Sequence, residues 1–257
     1  MTDFLQFPNL QIDGLQCAIT TRHGGTSAGN YASLNLGFHV GDNPETVREN
    51  RQVVARTLGC NLENLTCAQQ THGTNIEIIA AENRGRGALN YDSAIPNCDA
   101  LVTQTAQTPL MILVADCAPL LFIDVKNRAL AVVHAGWRGA TQRIASKTVA
   151  KMKEVFGTNP QDLRVGIGLT LCISCFQIGS EVAHIAGEIA PQSIILKGEN
   201  RFLDVRELLR EDLRSVRVLD SQIETMPNCP KCETKTFFSH RGENGQTGRF
   251  ALVAQWN

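Results

Sequence analysis

The sequence has no surplus of either charge. Its 257 residues carry 24 Lys and Arg against 25 Asp and Glu, a net charge of −1. A chain that neutralises many phosphates usually carries a basic excess, so nucleic acid is not expected as a main partner. Long apolar runs are also missing. The longest, Pro109 to Ala115, stops at Asp116, well short of the ~20 residues that span a bilayer, and no membrane partner is expected. Met1, Thr2, Asp3 and Phe4 open the chain with no basic segment and no apolar core, so no secretory leader is read there. Repeats, low-complexity tracts and Pro/Ser-rich linkers are absent too, which reads as one unit over residues 1–257. What is present excludes disorder: 43% of the residues are hydrophobic and 19% charged. Nine cysteines, an odd number scattered along the chain, read as free or metal-binding thiols of a reduced, cytoplasmic protein.

Hydrophobic patterning predicts a strand at Leu15–Thr21 that feeds the glycine-bearing loop 22–27. Asn43 and Pro44 suit the cap and first position of a helix carrying Val47, Val54 and Leu58, with Gly59 as its stop. A strand is predicted at Asn75–Ala80 and a polar surface loop over Asn83–Asn97. Ala100–Thr103, Leu110–Ala115, Leu120–Val125 and Leu130–His134 read as short buried strands. One helix is expected over Arg138–Phe156, a strand at Arg164–Gly168, and a helix capped by Ser180 that ends before Pro191. Asp204 with Glu207 resembles a capping box, and Phe250–Ala254 reads as a last strand. Strands cluster centrally without strict alternation with helices, which argues α+β with mixed sheets.

Two of the six histidines stand at ends of predicted strands. His72 lies in QTHG (70–73), and His134 precedes AGWRG (135–139). Cys117 follows Asp116 at the end of another apolar strand. Two imidazoles and a thiolate suit a zinc ion with its fourth position open, which lowers the pKa of a bound water toward neutrality. Without a metal, the same residues read as a Cys117 nucleophile with His134 as its base and Asp116 or a carbonyl orienting the ring, or as ordinary structural side chains. Two C-x-x-C pairs, Cys172/Cys175 and Cys229/Cys232, are either free thiols or a four-thiolate site whose pairs lie farther apart than in a zinc ribbon. Arg22, Arg48, Arg51, Arg138, Arg241 and Arg249 are candidate anion contacts, although each taken alone reads first as a solvated surface charge.

Several ordered motifs resemble one family. They are TRHGGTS (21–27), SLNLG (33–37), VGDNP (40–44), QTHG (70–73), CDALVT (98–103), ADCAP (115–119), HAGWRG (134–139), FFSHR (237–241) and TGR (247–249). Together they are similar to the YfiH or laccase-domain family, once labelled multicopper polyphenol oxidases and now regarded as purine nucleoside-metabolising enzymes. The resemblance runs from about Thr20 to the last residue. It implies a four-layer α/β/β/α sandwich with two mixed sheets, a fold shared with toxin-type cysteine hydrolases. It places the family's metal ligands on His72, Cys117 and His134. The chain departs from the family pattern at 167–176, where a proline and one of two paired cysteines are missing, and at 237–242, where one arginine is lost.

The resemblance implies a zinc-dependent enzyme acting on purine nucleosides and phosphate, as a monomer or homodimer. The implied reactions are phosphorolysis of adenosine, inosine, guanosine and methylthioadenosine, and deamination of adenosine. Arg22 and Arg48 are candidate phosphate contacts, Arg138 a further substrate contact, and Asp116 a candidate for moving protons. Trp137 reads either as a base-stacking residue or as core cover. Copper is the alternative cofactor, with polyphenol oxidation as its activity. Six histidines and no H-x-H pair are too few for a multicopper centre.

Overall fold

The computed structural model describes residues 4–257; Met1–Asp3, on which part of the leader reading falls, lie outside the described residues. In chain order the strands and helices are β1 (Leu15–Ile19), α1 (Pro44–Thr57), β2 (Thr66–Cys67), β3 (Ile76–Ile78), β4 (Ala100–Thr103), β5 (Leu110–Val114), β6 (Ala118–Asp124), β7 (Ala129–Ala135), α2 (Trp137–Thr141), α3 (Ile144–Phe156), β8 (Leu163–Ile167), β9 (Gln177–Ile178), α4 (Ser180–Ile189), β10 (Ile194–Lys197), β11 (Asn200–Leu203), α5 (Val205–Ser215), β12 (Ile223–Thr225) and β13 (Phe250–Trp256). A four-stranded sheet has the order β1-β13-β5-β2, and a six-stranded sheet the order β12-β8-β6-β7-β4-β3. Parallel pairs β2/β5, β3/β4 and β8/β12 among antiparallel ones make both sheets mixed. A small antiparallel sheet, β10-β11-β9, sits outside them.

Strand alternation builds the layers. In β5 and β13, Ile112, Val114, Phe250 and Leu252 face the six-stranded sheet, where they meet Leu121 and Ile123 of β6 and Leu130 and Val132 of β7. The other faces of β5 and β13 present Met111, Leu113, Ala251 and Val253 to Val54 and Ala55 of α1. The opposite face of β6 and β7 offers Ala118, Leu120, Phe122 and a row of Ala129, Ala131, Val133 and Ala135 to α2–α5. The result is the four-layer α/β/β/α sandwich. Both central sheets are covered on two faces, which is why their strands read as continuous apolar runs rather than as alternation.

Local chemistry sets the boundaries. The Asn43 side chain accepts the Glu45 N–H, Pro44 opens α1, and Gly59 follows in the left-handed region. Asp204 accepts from the Arg206 and Glu207 N–H groups. The helix expected at 138–156 is instead two. Arg143 adopts φ +62°, and the buried Asp212 carboxylate of α5 accepts the Ser146 N–H, giving α3 its own start. Gly179, not Ser180, occupies the cap of α4. The strand pairs of the small sheet escape a periodicity reading because β9 has two residues and β10 is half exposed.

Leu121 is fully buried between the two large sheets. Leu121→Ala is expected to destabilise the fold by about 2–5 kcal/mol through lost burial and an unfilled cavity. Urea unfolding should show a lower midpoint at unchanged slope. A change within about 0.5 kcal/mol, as at a surface position, is incompatible with this packing.

Candidate metal centre

The chain crosses from the four-stranded to the six-stranded sheet between β5 and β6, through Ala115-Asp116-Cys117. Asp116 takes φ +95°, an unfavourable conformation for a residue with a Cβ. Its contacts hold it there. One carboxylate oxygen accepts the Ser239 hydroxyl (2.6 Å), the other accepts the Arg241 N–H (2.6 Å), and its carbonyl accepts the Thr170 hydroxyl (2.6 Å). Cys117 thereby stands at the mouth of β6. His134 occupies the last but one position of β7 on the same side as Leu130 and Val132, so its ring enters the space between the sheets. His72 comes from the β2–β3 connection at φ +61°.

Asp99, the residue before β4, holds both histidines. It is fully buried. One carboxylate oxygen accepts the His72 N–H (3.0 Å) and bonds His134 Nδ1 (2.8 Å). The other accepts the N–H groups of Gly73 (2.7 Å) and Thr71 (3.2 Å) and the Thr71 hydroxyl (3.1 Å). Burial disfavours its charge, but His134 and these N–H donors win and bring its pKa down to about 2. An ionised carboxylate can only accept, so His134 Nδ1 carries a proton toward Asp99 and Nε2 is the ring nitrogen left to face the centre.

The ligand atoms of His72, Cys117 and His134 lie within 4.8 Å of one another. The two rings meet edge to face with centroids 4.7 Å apart. Gly136 makes this possible: a Cβ there would come within 3.0 Å of His72 Cδ2 and 3.1 Å of Cys117 Sγ. Burial opposes ionisation of the Cys117 thiol, yet His134 and His72 overcome it and bring the pKa to about 6. Burial likewise opposes a charged His134, but Cys117 and Asp99 raise it to about 9. Two imidazoles, one of them tautomer-fixed by a carboxylate, and a ready thiolate are the donor set of a soft-to-borderline divalent metal with one position left open.

The trio lines a cavity of about 370 Å³, within the usual range for small-molecule sites. Leu113, Val114, Leu171 and Phe176 give it apolar walls, and Tyr91 and Trp137 add aromatic surface. Arg138, Arg241 and Arg249 supply positive charge. The Arg138 guanidinium lies 4.4 Å from the Trp137 ring centre, and Arg241 lies 5.4 Å from that of Phe176. His39 also lines the cavity; burial first, then the charges of Arg249 and Arg51, lower its pKa to about 4, so its imidazole is neutral at pH 7.

The structure thus brings together the three residues singled out in the sequence and sets Arg138 and Asp116 in the same cavity. It does not bring Arg22 or Arg48 there. The Arg22 guanidinium is bonded to the carbonyls of Ala32 and Thr234 and to Glu243, on another part of the surface. Arg48 bonds the Leu89 carbonyl and Glu45 on the exposed side of α1. Arg51 is buried, donating to the carbonyls of Leu36, Gly87 and Ala88. The Asp116 carboxylate, considered for proton transfer, is committed to Ser239 and Arg241. Sequence reasoning gave no role to Asp99, although CDALVT (98–103) was among the motifs noted.

Comparison with known proteins gives the chain's relatives. The family model described as multi-copper polyphenol oxidoreductase laccase matches residues 16–257. The purine nucleoside phosphorylase YlmD of Geobacillus stearothermophilus is 35% identical over 241 residues, 92% of this chain and 88% of its own. Adenosine deaminase RL5, from an unknown prokaryotic organism, is 29% identical over 243 residues, 93% of this chain and 92% of its own. The crystal structure of the G. stearothermophilus YlmD superposes with a TM-score of 0.92 at 33% identity, covering 95% of this chain and 93% of that one.

In metal-free protein, alkylation of Cys117 is expected to follow a thiolate with a midpoint near pH 6, so reaction is nearly complete at pH 7 and fades below pH 6. Asp99→Asn removes the negative charge behind His134, so the imidazolium that supports the thiolate is weakened and the midpoint moves up. The same variant should bind metal about 10–100-fold more weakly. An unmoved midpoint and unchanged metal affinity, in folded protein, count against this role of Asp99.

Proposed function

The chain belongs to the multi-copper polyphenol oxidoreductase laccase family, and from that membership we propose that it is a zinc-dependent purine nucleoside phosphorylase that also deaminates adenosine. The observation that carries the proposal is the His72–Cys117–His134 cluster on the wall of a cavity of about 370 Å³ that also presents arginines and aromatic rings. The relatives' names support the reaction classes. The substrates are adenosine, inosine, guanosine and methylthioadenosine, with phosphate. The catalytic unit is the whole span 1–257, working in the cytoplasm as a monomer or homodimer. No helix among the described residues is long and apolar enough to cross a membrane.

His72, Cys117 and His134 would hold the zinc, and the ion would supply Lewis acidity beside the purine. Asp99 keeps the Nδ1 proton of His134 in place and so keeps Nε2 directed at the centre. In phosphorolysis the bond from ribose C1′ to the purine nitrogen breaks and a bond from C1′ to a phosphate oxygen forms. The base leaves carrying the electron pair and takes a proton. Arg138, Arg241 and Arg249 are the groups suited to the phosphate, since guanidinium matches oxyanion geometry. In deamination water adds at C6 of adenosine and the amino group departs as ammonia, giving inosine. Tyr91, Trp137 and Phe176 supply flat apolar surface for the base, and the apolar wall limits competing water.

One observation favours a second reading. Cys117, His134 and Asp99 form a nucleophile, a base and an orienting carboxylate, with the thiol lowered to about 6 and the imidazole raised to about 9. This is the arrangement of a metal-free cysteine hydrolase. Copper-dependent polyphenol oxidation has weaker support, because six histidines without an H-x-H pair fall short of a multicopper centre.

Protein purified without added metal should convert adenosine to inosine, and adenosine with phosphate to adenine. His72→Ala should carry one zinc fewer per chain and lower both rates by at least about a hundredfold. Full activity after chelation has removed that zinc would move the assignment to the cysteine hydrolase. Stoichiometric copper without nucleoside turnover would move it to the oxidase.

A further inference from the structure

The two C-x-x-C pairs, far apart in sequence, converge outside the cavity. Cys172 and Cys175 flank a short turn after β8, and Cys229 and Cys232 flank another after β12; β8 and β12 are parallel neighbours. The four sulfur atoms lie within 4.8 Å of one another. Cys175 Sγ is 3.5 Å from Cys232 Sγ, and Cys172 Sγ is 3.8 Å from it. A disulfide needs about 2.05 Å, and all four thiols are free. Four sulfurs around a tetrahedral zinc at about 2.3 Å stand about 3.8 Å apart, so the observed spacings are those of a tetrathiolate site.

The surroundings are prepared for such an ion. The Cys172 N–H donates to Cys229 Sγ (3.3 Å), which stabilises a thiolate there. Glu233 fixes the second turn by accepting the Cys229 N–H (3.1 Å) and the Asn228 side-chain amide (2.9 Å). Arg206 reaches across from α5 to the carbonyls of Thr170 (3.0 Å) and Asn228 (2.7 Å), one on each cysteine-bearing segment. Its guanidinium bears on Cys172 and Cys229 and offsets the charge that four thiolates leave on a divalent ion.

We propose that Cys172, Cys175, Cys229 and Cys232 form a second, structural zinc site, separate from the His72–Cys117–His134 centre. Its four protein ligands leave no open position, so it holds structure rather than reacting substrate. It joins the segment that brings Thr170, Leu171 and Phe176 to the cavity to the segment that brings His240 and Arg241. Arg241 already spans the two, with Nη1 bonded to the Gln177 carbonyl (3.0 Å) and at 3.4 Å from that of Cys175. The ion therefore sets the position of one cavity wall.

The test separates the two sites by removing each in turn. A His72→Ala/Cys117→Ser variant retains all four cysteines and should purify with close to one zinc per chain. Its apo form should take up Co2+ with the intense thiolate-to-metal absorption of a tetrahedral sulfur site. Cys232→Ser alters an exposed position, so it removes a ligand without opening the core; it should lose one zinc and free the remaining cluster thiols to a disulfide reagent. Absence of both zinc and cobalt uptake in the His72→Ala/Cys117→Ser variant would overturn the proposal. So would recovery of the four cysteines as disulfides, iron in place of zinc, or unchanged zinc content in Cys232→Ser.

Discussion

One carboxylate organises the centre of this molecule. Asp99 accepts hydrogen bonds from the backbone of three successive residues, Thr71, His72 and Gly73, and from the ring of His134. Its own carbonyl also accepts the His134 N–H (2.8 Å). It therefore fixes a loop, a strand end and an imidazole tautomer at once. A buried carboxylate is costly unless its oxygens are satisfied. Here the donors that satisfy it are the same groups that position two side chains of the candidate metal centre, so folding of the loop and preorganisation of the site are one event.

The third member of the centre depends on a different constraint. Cys117 is placed by a turn that steps between the two sheets and forces Asp116 to φ +95°. Backbone strain of that kind persists only where neighbouring contacts over-determine it. The contacts come from Ser239 and Arg241 on one side and Thr170 on the other. Those segments also form the cavity wall, and both lead into the cysteine cluster. Geometry at the reacting end is thus tied to segments that are distant in sequence.

Much of this was legible in the sequence where local chemistry decides. Asn43, Pro44 and Gly59 bound α1 for capping reasons, and the apolar runs of β4–β7 announce sheets covered on both faces. Cys117 and His134 each stand at a strand end, His72 lies in the connection that precedes β3, and the ordered motifs named their family. Other features depend on tertiary neighbours. Asp99 gave no periodic or spacing signal, since its value arises only where the 71–73 loop meets β7. Arg22 and Arg48 looked like anion contacts because nothing in the local sequence reveals the carbonyls they bond. Arg51 did carry a signal: it shares a face of α1 with Val47 and Val54, and that face is buried. The break between α2 and α3 follows from Asp212, a residue of another helix.

The four-stranded sheet carries one more consequence. β13 lies between β1 and β5, pairing Leu15 with Trp256 along one edge and Val114 with Phe250 along the other. Both neighbours leave the ribosome long before it does. Until residues 250–256 emerge, β1 and β5 have no common partner, and the apolar faces they share with the six-stranded sheet stay incompletely covered. Such long-range closure is slow and leaves strand edges open to other chains meanwhile. Folding during synthesis can assemble the six-stranded sheet, but the four-stranded sheet closes only once β13 is there to join β1 to β5.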